Sequence, residues 1–311
     1  AATFNTPQGV ATDGTNVYVA DTFNHTIRQI VISSGVVTTL AGTAGTFGSA
    51  NGTGVAATLR SPLGLTVAGT DLYVADTAKA PQMLCGIEGF GVLRCIPVEG
   101  GKYRILNREL AYYSNPYTGE FLDVWKNPLN GAECEVHSIH NHYVAAELSP
   151  VMKMDFEGTT KEFPFMPPWR VMGDDVFQTF EVHTSYPSPM KPAVWPRESP
   201  GEFCRISEIF QRTAKLAEIE DDSKTSAHYT GTWTRVGPWL PWMLMGQVPG
   251  NILYRTDMKK LYSVGELPAA LRARTEQRHP DFFAAPQASD WGKPNDSTWG
   301  TYMAECKPKT T

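Results

Sequence analysis

PQGVATDGTNVYVADT, residues 7–22, returns at a fixed offset of 55 residues as PLGLTVAGTDLYVADT, residues 62–77. In both copies a Pro-x-Gly corner leads through a Gly-Thr-Asn or Gly-Thr-Asp turn into a short β-favouring run, Val17-Tyr18-Val19-Ala20 in the first and Leu72-Tyr73-Val74-Ala75 in the second. Two more runs, Ile27-Arg28-Gln29-Ile30-Val31-Ile32 and Val36-Val37-Thr38-Thr39-Leu40, flank the turn Ser33-Ser34-Gly35. Four short strands per unit is the pattern of one propeller blade. A repeat of this kind cannot bury its apolar face alone, so copy number decides whether it folds. Here the first copy is whole and the second breaks off midway, giving about one and a half blades.

Outward from this repeat, the 311-residue chain is long enough for two ordinary domains, with 41% apolar and 19% charged residues. A net charge of −5 with scattered Lys and Arg leaves no basic footprint, which argues against a nucleic-acid partner. Apolar runs are only a few residues long, short of the roughly 20 that a membrane-spanning helix needs. The start Ala1-Ala2-Thr3 has no methionine and no signal-like segment, as in a mature, processed protein or a recombinant form. The five cysteines, Cys85, Cys95, Cys134, Cys204 and Cys306, are dispersed and odd in number. They read as buried or half-buried thiols, with a Cys85–Cys95 pair across a hairpin as the alternative.

Beyond Pro81 the composition shifts towards Pro, Trp, Met and charge. Residues 102–113 alternate as a strand, with Arg104, Leu106, Arg108, Leu110 and Tyr112 on one face and Tyr103, Ile105, Asn107, Glu109, Ala111 and Tyr113 on the other. Two turns of one design, Asn115-Pro116-x-x-Gly119 and Asn127-Pro128-x-x-Gly131, point to an antiparallel meander that continues through residues 133–139 and 176–183. Residues 186–200 carry five prolines and read as a long loop. Residues 205–220 fit either helix or strand, and residues 229–235 fit a strand. Ser263-x-x-Glu266 is a capping-box pattern opening a helical stretch that stops at His279-Pro280, and the tail from Ala288 reads as polar and loosely held.

The densest chemical constellation runs from Trp233 to Met245. Trp233, Trp239 and Trp242 with Met243 and Met245 are suited to enclosing a flat apolar ligand, or to plugging the end of a barrel. His137 is the candidate base, Tyr113 and Asp174 candidate proton donors or orienters, and Arg235 a holder for a carboxylate or enolate. His137-x-x-His140-x-His142 has metal-like spacing, but only Cys134 or Glu135 lies near enough in sequence to complete a ligand set, so neither metal nor cofactor is expected. Serine-hydrolase, Walker, dinucleotide and zinc-protease motifs are absent from the sequence.

Two family resemblances follow from these residues. Pro7-x-Gly9-Val10-Ala11, Tyr18-Val19-Ala20-Asp21 and Asn24-His25-Thr26-Ile27-Arg28 resemble NHL repeats, a six-bladed propeller family, over residues 4–42 and 59–77. After Thr77 the expected continuation is replaced by Ala78-Lys79-Ala80-Pro81. The resemblance implies that Asp21 and His25 fix turns. Glu88-Gly89-Phe90, Asn115-Pro116-x-Thr118-Gly119-Glu120, Trp125-x-Asn127-Pro128, Val136-His137, Glu266-Leu267-Pro268 and His279-Pro280-Asp281-Phe282 are similar to domain of unknown function 1838, over residues 84–286 and short of its first strands. That resemblance implies a mainly antiparallel, barrel-like domain, with only His137 of the three histidines in the pattern, and no settled activity.

The expected architecture is mainly β: partial propeller blades over residues 1–79, a lipocalin-like antiparallel domain with a few short helices over 80–287, and a tail over 288–311. The expected function is binding of a small hydrophobic or aromatic molecule in a barrel pocket, with cofactor-free isomerase, cyclase or lyase chemistry. The alternatives are a non-enzymatic extracytoplasmic interaction module, or a chimera of two truncated domains that depends on self-association or a partner chain for missing strands. A periplasmic or secreted location is slightly favoured over a cytoplasmic one.

Overall fold

The computed structural model describes residues 2–68, 71–74, 83–149, 151–156, 159–164, 169–224, 226–246, 248 and 250–309. The chain is mainly β and divides into two compact units, Ala1–Met83 and Leu84–Thr311. Residues 75–82, where the second repeat copy gives way to unrelated sequence, lie outside the described residues, as do Gly69-Thr70 of its turn.

In the first unit, β1 (Pro7–Thr12), β2 (Asn16–Asp21), β3 (Thr26–Val31) and β4 (Val37–Ala41) form an antiparallel sheet in sequential order, the expected blade. The second copy supplies the hairpin of β5 (Leu65–Ala68) and β6 (Asp71–Val74). The two Pro-x-Gly corners pack together, which explains the first glycine: a Cβ on Gly9 would lie 2.1 Å from the Leu63 carbonyl oxygen. Across the same seam the Thr22 hydroxyl donates to the Pro62 carbonyl at 2.7 Å, and the Ser61 N–H donates to His25 Nδ1 at 3.0 Å. Asp21, fully buried, accepts from the Asn5 N–H (2.7 Å), Asn24 Nδ2 (2.9 Å) and Arg28 Nη1 (3.3 Å), so the blade's acidic residue ties three segments together.

The second unit is built on two five-stranded antiparallel sheets. Its long hairpin is β7 (Gly86–Val98) with β8 (Lys102–Ser114), paired from Gly86↔Ser114 to Val98↔Lys102 around Gly100 at φ +77°. The small hairpin of β9 (Val124–Lys126) and β10 (Glu133–Glu135) stands as its own sheet. Then follow β11 (Ile139–Leu148), β12 (Val151–Phe156) and β13 (Thr159–Pro164), which complete the first sheet in the order β13-β12-β11-β8-β7. The other sheet runs in chain order through β14 (Arg170–Met172), β15 (Asp175–Pro187), β16 (Phe203–Lys215), β17 (Thr230–Gly237) and β18 (Ile252–Lys259). Among the described residues the two ladders are separate, and no strand pairing closes them into a barrel.

The pattern of β15 shows why it forms: Val176, Gln178, Phe180, Val182, Thr184 and Tyr186 are buried, while the residues between them face outward. The ambiguous stretch at 205–220 resolves as β16 followed by the single helical turn α1 (Leu216–Ile219). Residues 133–139 are not one strand, because the chain leaves β10 at Glu135 and re-enters a sheet at Ile139, which places His137 in the connection.

The two turns of repeated design form as expected. The N–H of Gly119 donates to the Asn115 carbonyl at 2.9 Å and that of Gly131 to the Asn127 carbonyl at 2.8 Å, with both glycines in the left-handed region. The capping box closes with Glu266 Oε1 accepting from the Ser263 N–H at 3.0 Å, and α2 (Ala269–Arg278) begins after Pro268.

The tail is not loosely held. Residues 295–296 bond along β11: Asn295 Oδ1 accepts from the Ala145 N–H at 2.7 Å, and the Asp296 N–H donates to the Tyr143 carbonyl at 2.8 Å. The helix α3 (Thr298–Glu305) follows, capped by Ser297 Oγ accepting from the Gly300 N–H at 3.0 Å. Trp299 and Tyr302, three apart on one helical face, are buried in the main core. Those two aromatic rings outweigh the polar average of the segment. Cys85 and Cys95 are both free: one precedes and the other lies within the same extended strand, too far apart along it to pair.

Candidate functional site

The two faces of β8 do different work. Leu110 and Tyr112 pack with Leu267, Leu271 and Phe282 from the segment around α2. The opposite face, with Glu109 and Tyr113, meets side chains of the second sheet. There Arg235 on β17 lies between Glu208 on β16 and Tyr254 on β18, its cross-strand neighbours. Arg235 Nη1 is 3.4 Å from Glu208 Oε1, and the guanidinium carbon sits 5.7 Å from the Tyr254 ring centre. Arg235 Nε, buried, has no acceptor among the described residues.

This region is strongly desolvated. Burial pushes the Glu109 carboxyl above its ordinary range; the Asn141 amide opposes that, the Glu208 carboxylate adds to it, and Asn107 and Arg235 oppose it. Burial pulls the Arg235 guanidinium down, but Glu208 and the surrounding tyrosines leave it raised overall. Burial raises the Tyr113 and Tyr254 hydroxyls, and it pushes the neighbouring Cys85 thiol up to about 12. Arg235 and Glu208 nonetheless keep 20% and 19% of their side-chain surface accessible, so the space between the sheets is not completely filled. An aromatic row continues along the same face, with Phe180 stacked on Phe210 (5.8 Å), Phe210 on Trp233 (6.3 Å) and Trp233 tilted against Tyr254 (5.6 Å).

Of the residues singled out from sequence, Tyr113, Arg235 and Trp233 come together here. Trp242, Met243 and Met245 are core, each 4% exposed or less. Trp242 lies 5.0 Å from Tyr113 and 5.4 Å from Trp125, ring centre to ring centre, and Asn127 Nδ2 anchors the segment by donating to the Met243 carbonyl at 2.8 Å. Trp239 is half-buried and donates from Nε1 to the Val248 carbonyl at 2.9 Å.

Asp174 sits exposed in the turn before β15 and cannot join Arg235. The ladder registers Val182 with Glu208, the partner of Arg235, and Val182 lies seven residue steps along the strand from Asp175, about 23 Å of extended chain. Glu109, Glu208 and Tyr254 are the members that sequence reasoning missed. Glu109 was visible as a charge on the same face of the alternating strand as Tyr113.

His137 belongs to a different constellation. Its Nε2 is 2.9 Å from Glu305 Oε2, and its ring packs edge-on to Tyr302 at 5.2 Å. His140 Nε2 is 2.8 Å from Glu305 Oε1, and its Nδ1 is 3.0 Å from the Ser138 carbonyl. The two imidazole nitrogens and the carboxylate lie within 4.8 Å of one another and form a set able to hold a metal ion. His279, at the end of α2, stacks on His140 at 4.9 Å, and burial pulls its pKa down to about 4. Burial likewise lowers His137, while Glu305 is held below its ordinary value because its contacts with the two histidines outweigh its own desolvation. His142 points away, exposed, to Asp281 at 3.2 Å. Glu305 was hidden from sequence reasoning because it lies 168 residues from His137, in the segment read as a tail.

A separate cleft of about 330 Å³ opens at the β16–α1 end of the second sheet, lined by Trp169, Arg212, Glu218, His228 and Tyr229 among others, and contains none of the sequence-predicted residues. No described helix is long and apolar enough to cross a membrane.

NHL repeat-containing protein 2 of Gallus gallus is 56% identical over 41 residues, 13% of this chain, and the chain spans about 6% of that relative's length. The family described as protein of unknown function (DUF1838) matches residues 68–306, which extends past the expected 84–286 to take in α3 and Glu305. Both the interior cluster and the histidine cluster therefore lie inside the matched region, and the chain belongs to the DUF1838 family.

Proposed function

We propose that residues 84–311 bind a small hydrophobic or aromatic molecule between the two five-stranded sheets and act on it by cofactor-free proton transfer, as an isomerase, cyclase or lyase does. The observation that carries this reading is the desolvated grouping of Glu109 and Arg235, on opposite sheets, beside an aromatic wall that includes Trp233. Glu109, with its raised pKa, moves the proton. Tyr113 and Tyr254 donate hydrogen bonds to a carbonyl oxygen of the bound molecule, and Arg235 stabilises the negative charge that develops there. The candidate base from sequence, His137, has its partners elsewhere, and Glu109 takes its role.

Titration with 1-anilinonaphthalene-8-sulfonate, read by indole fluorescence and calorimetry, tests the binding half of the proposal. One saturable equivalent, weakened at least tenfold by both Trp233→Ala and Arg235→Met in variants that keep the wild-type circular dichroism, is the expected result. Binding that neither substitution changes, or no saturable binding at all, refutes it.

A second reading rests on the blade, where Val10, Phe47 and Val55 are 67%, 63% and 61% exposed: a non-enzymatic, extracytoplasmic interaction module docking through that unit. It predicts an oligomeric mass that rises with concentration and reverts on Phe47→Asp.

A further inference from the structure

The histidine cluster carries an inference that does not depend on the space between the sheets. His140 is 3% exposed, and its Nδ1 faces two oxygens of Ser138, the carbonyl at 3.0 Å and the hydroxyl at 3.0 Å. In the tautomer that donates from Nδ1 to that carbonyl, Nε2 presents a lone pair to Glu305 Oε1 at 2.8 Å. A cation held between the two satisfies both, either a proton on the imidazole or a metal ion bound by nitrogen and oxygen together. The other carboxylate oxygen meets a second imidazole, Nε2 of His137, at 2.9 Å.

These separations suit coordination. Two ligands of a metal with bonds of ~2.05 Å stand about 2.9 Å apart at right angles and about 3.3 Å apart at the tetrahedral angle, so the half-exposed Glu305 carboxylate moves by about half an ångström to complete a tetrahedral set. The two Ser138 oxygens supply outer contacts of the kind that orient the ring of a coordinating histidine. The Glu305 side chain is 52% exposed, so the coordination positions left by the protein open to water.

We propose that His137 Nε2, His140 Nε2 and the Glu305 carboxylate form a binding site for a divalent transition-metal ion of the zinc or cobalt class, which fastens the end of α3 to the start of β11. Two imidazoles and one carboxylate match borderline cations better than calcium or magnesium, which take all-oxygen sets. Because the ligands come from a strand, the loop before it and a helix distant in sequence, the ion couples to folding and stabilises the chain by mass action.

The full-length protein is stripped with a chelator, then titrated with Co²⁺ by visible absorption and with Zn²⁺ by calorimetry. The expected result is one equivalent, with a rise in melting temperature on adding Zn²⁺. His140→Ala and Glu305→Gln each weaken binding at least tenfold and abolish that rise, while His142→Ala, altering the exposed histidine of the same segment, leaves both in place. Should His140→Ala fail to fold, Glu305→Gln, at a half-exposed side chain, decides the matter. Absence of a saturable single equivalent, retention of full affinity in Glu305→Gln, or loss of binding in His142→Ala overturns the proposal.

Discussion

In residues 1–83 a four-stranded blade buries Val19, Ala20 and Ile27 and leaves Val10, Ile32, Val36, Phe47 and Val55 largely open. In residues 84–311 two five-stranded sheets enclose a core that runs from Tyr113 through Trp242 to Trp299. Both units are antiparallel and of similar local propensity. What differs is whether each sheet has another layer to cover its apolar face. The blade is held chiefly by polar ties at its corners, of which Asp21 is the hub, whereas the second unit is held by aromatic packing. A repeat module and a two-sheet domain can thus share strand chemistry and still differ in what an individual substitution costs.

Four measurements would break or sharpen that contrast. Trp242→Ala, removing the largest fully buried side chain, is expected to destabilise the second unit by about 3–5 kcal/mol. Hydrogen exchange should then speed up in β8 and β18 and stay unchanged in β2 and β3; equal acceleration in both units would erase the distinction. Asp21→Ala takes the carboxylate from the Arg28 guanidinium and the acceptor from the Asn5 N–H and Asn24 Nδ2, and should cost the blade about 2–3 kcal/mol. Exchange confined to β1–β3 is its signature, and a change under half that size would mean the corners matter less than the sparse core.

Ser297→Ala removes the cap of α3 and should cost about 1 kcal/mol, with faster exchange at residues 298–305. No change there would return that segment to the status of a loose tail. The smallest effect is a pH slope. Because the folded-state pKa of Glu109 is raised, the folded chain holds that proton more tightly than the unfolded chain. Its contribution is complete below the unfolded carboxyl value and is lost as pH rises through the folded one, so chemical denaturation should show stability falling over that window. Glu109→Gln should flatten the slope, and an unchanged slope would show that the group is not desolvated.

Much of the fold was legible from local pattern. The 55-residue offset gave the blade, the twin Asn-Pro-x-x-Gly turns gave two corners, and alternation along residues 102–113 separated Leu110 and Tyr112, which pack on the segment around α2, from Glu109 and Tyr113, which meet the second sheet. The site was legible only in part. Tyr113, Arg235 and Trp233 were found because tyrosine, arginine and tryptophan carry recognisable chemistry wherever they stand. Asp174 was misplaced because a carboxylate's position along a strand says nothing about depth. Glu109 and Glu208 look like ordinary strand charges until the opposite sheet removes their water.

The sequence by itself determined what depends on neighbours within a few residues: strand periodicity, turn chemistry, caps and the repeat. Only the tertiary structure decided which faces meet, since burial and convergence join residues far apart in the chain. Glu305 shows this most clearly. In sequence it is one acid in a polar stretch, and it becomes the shared partner of His137 and His140 because the rings of Trp299 and Tyr302, on its own helix, dock that helix into the core. Hydrophobic burial of two side chains brings the carboxylate 168 residues back to its histidines, and no local pattern encodes that distance.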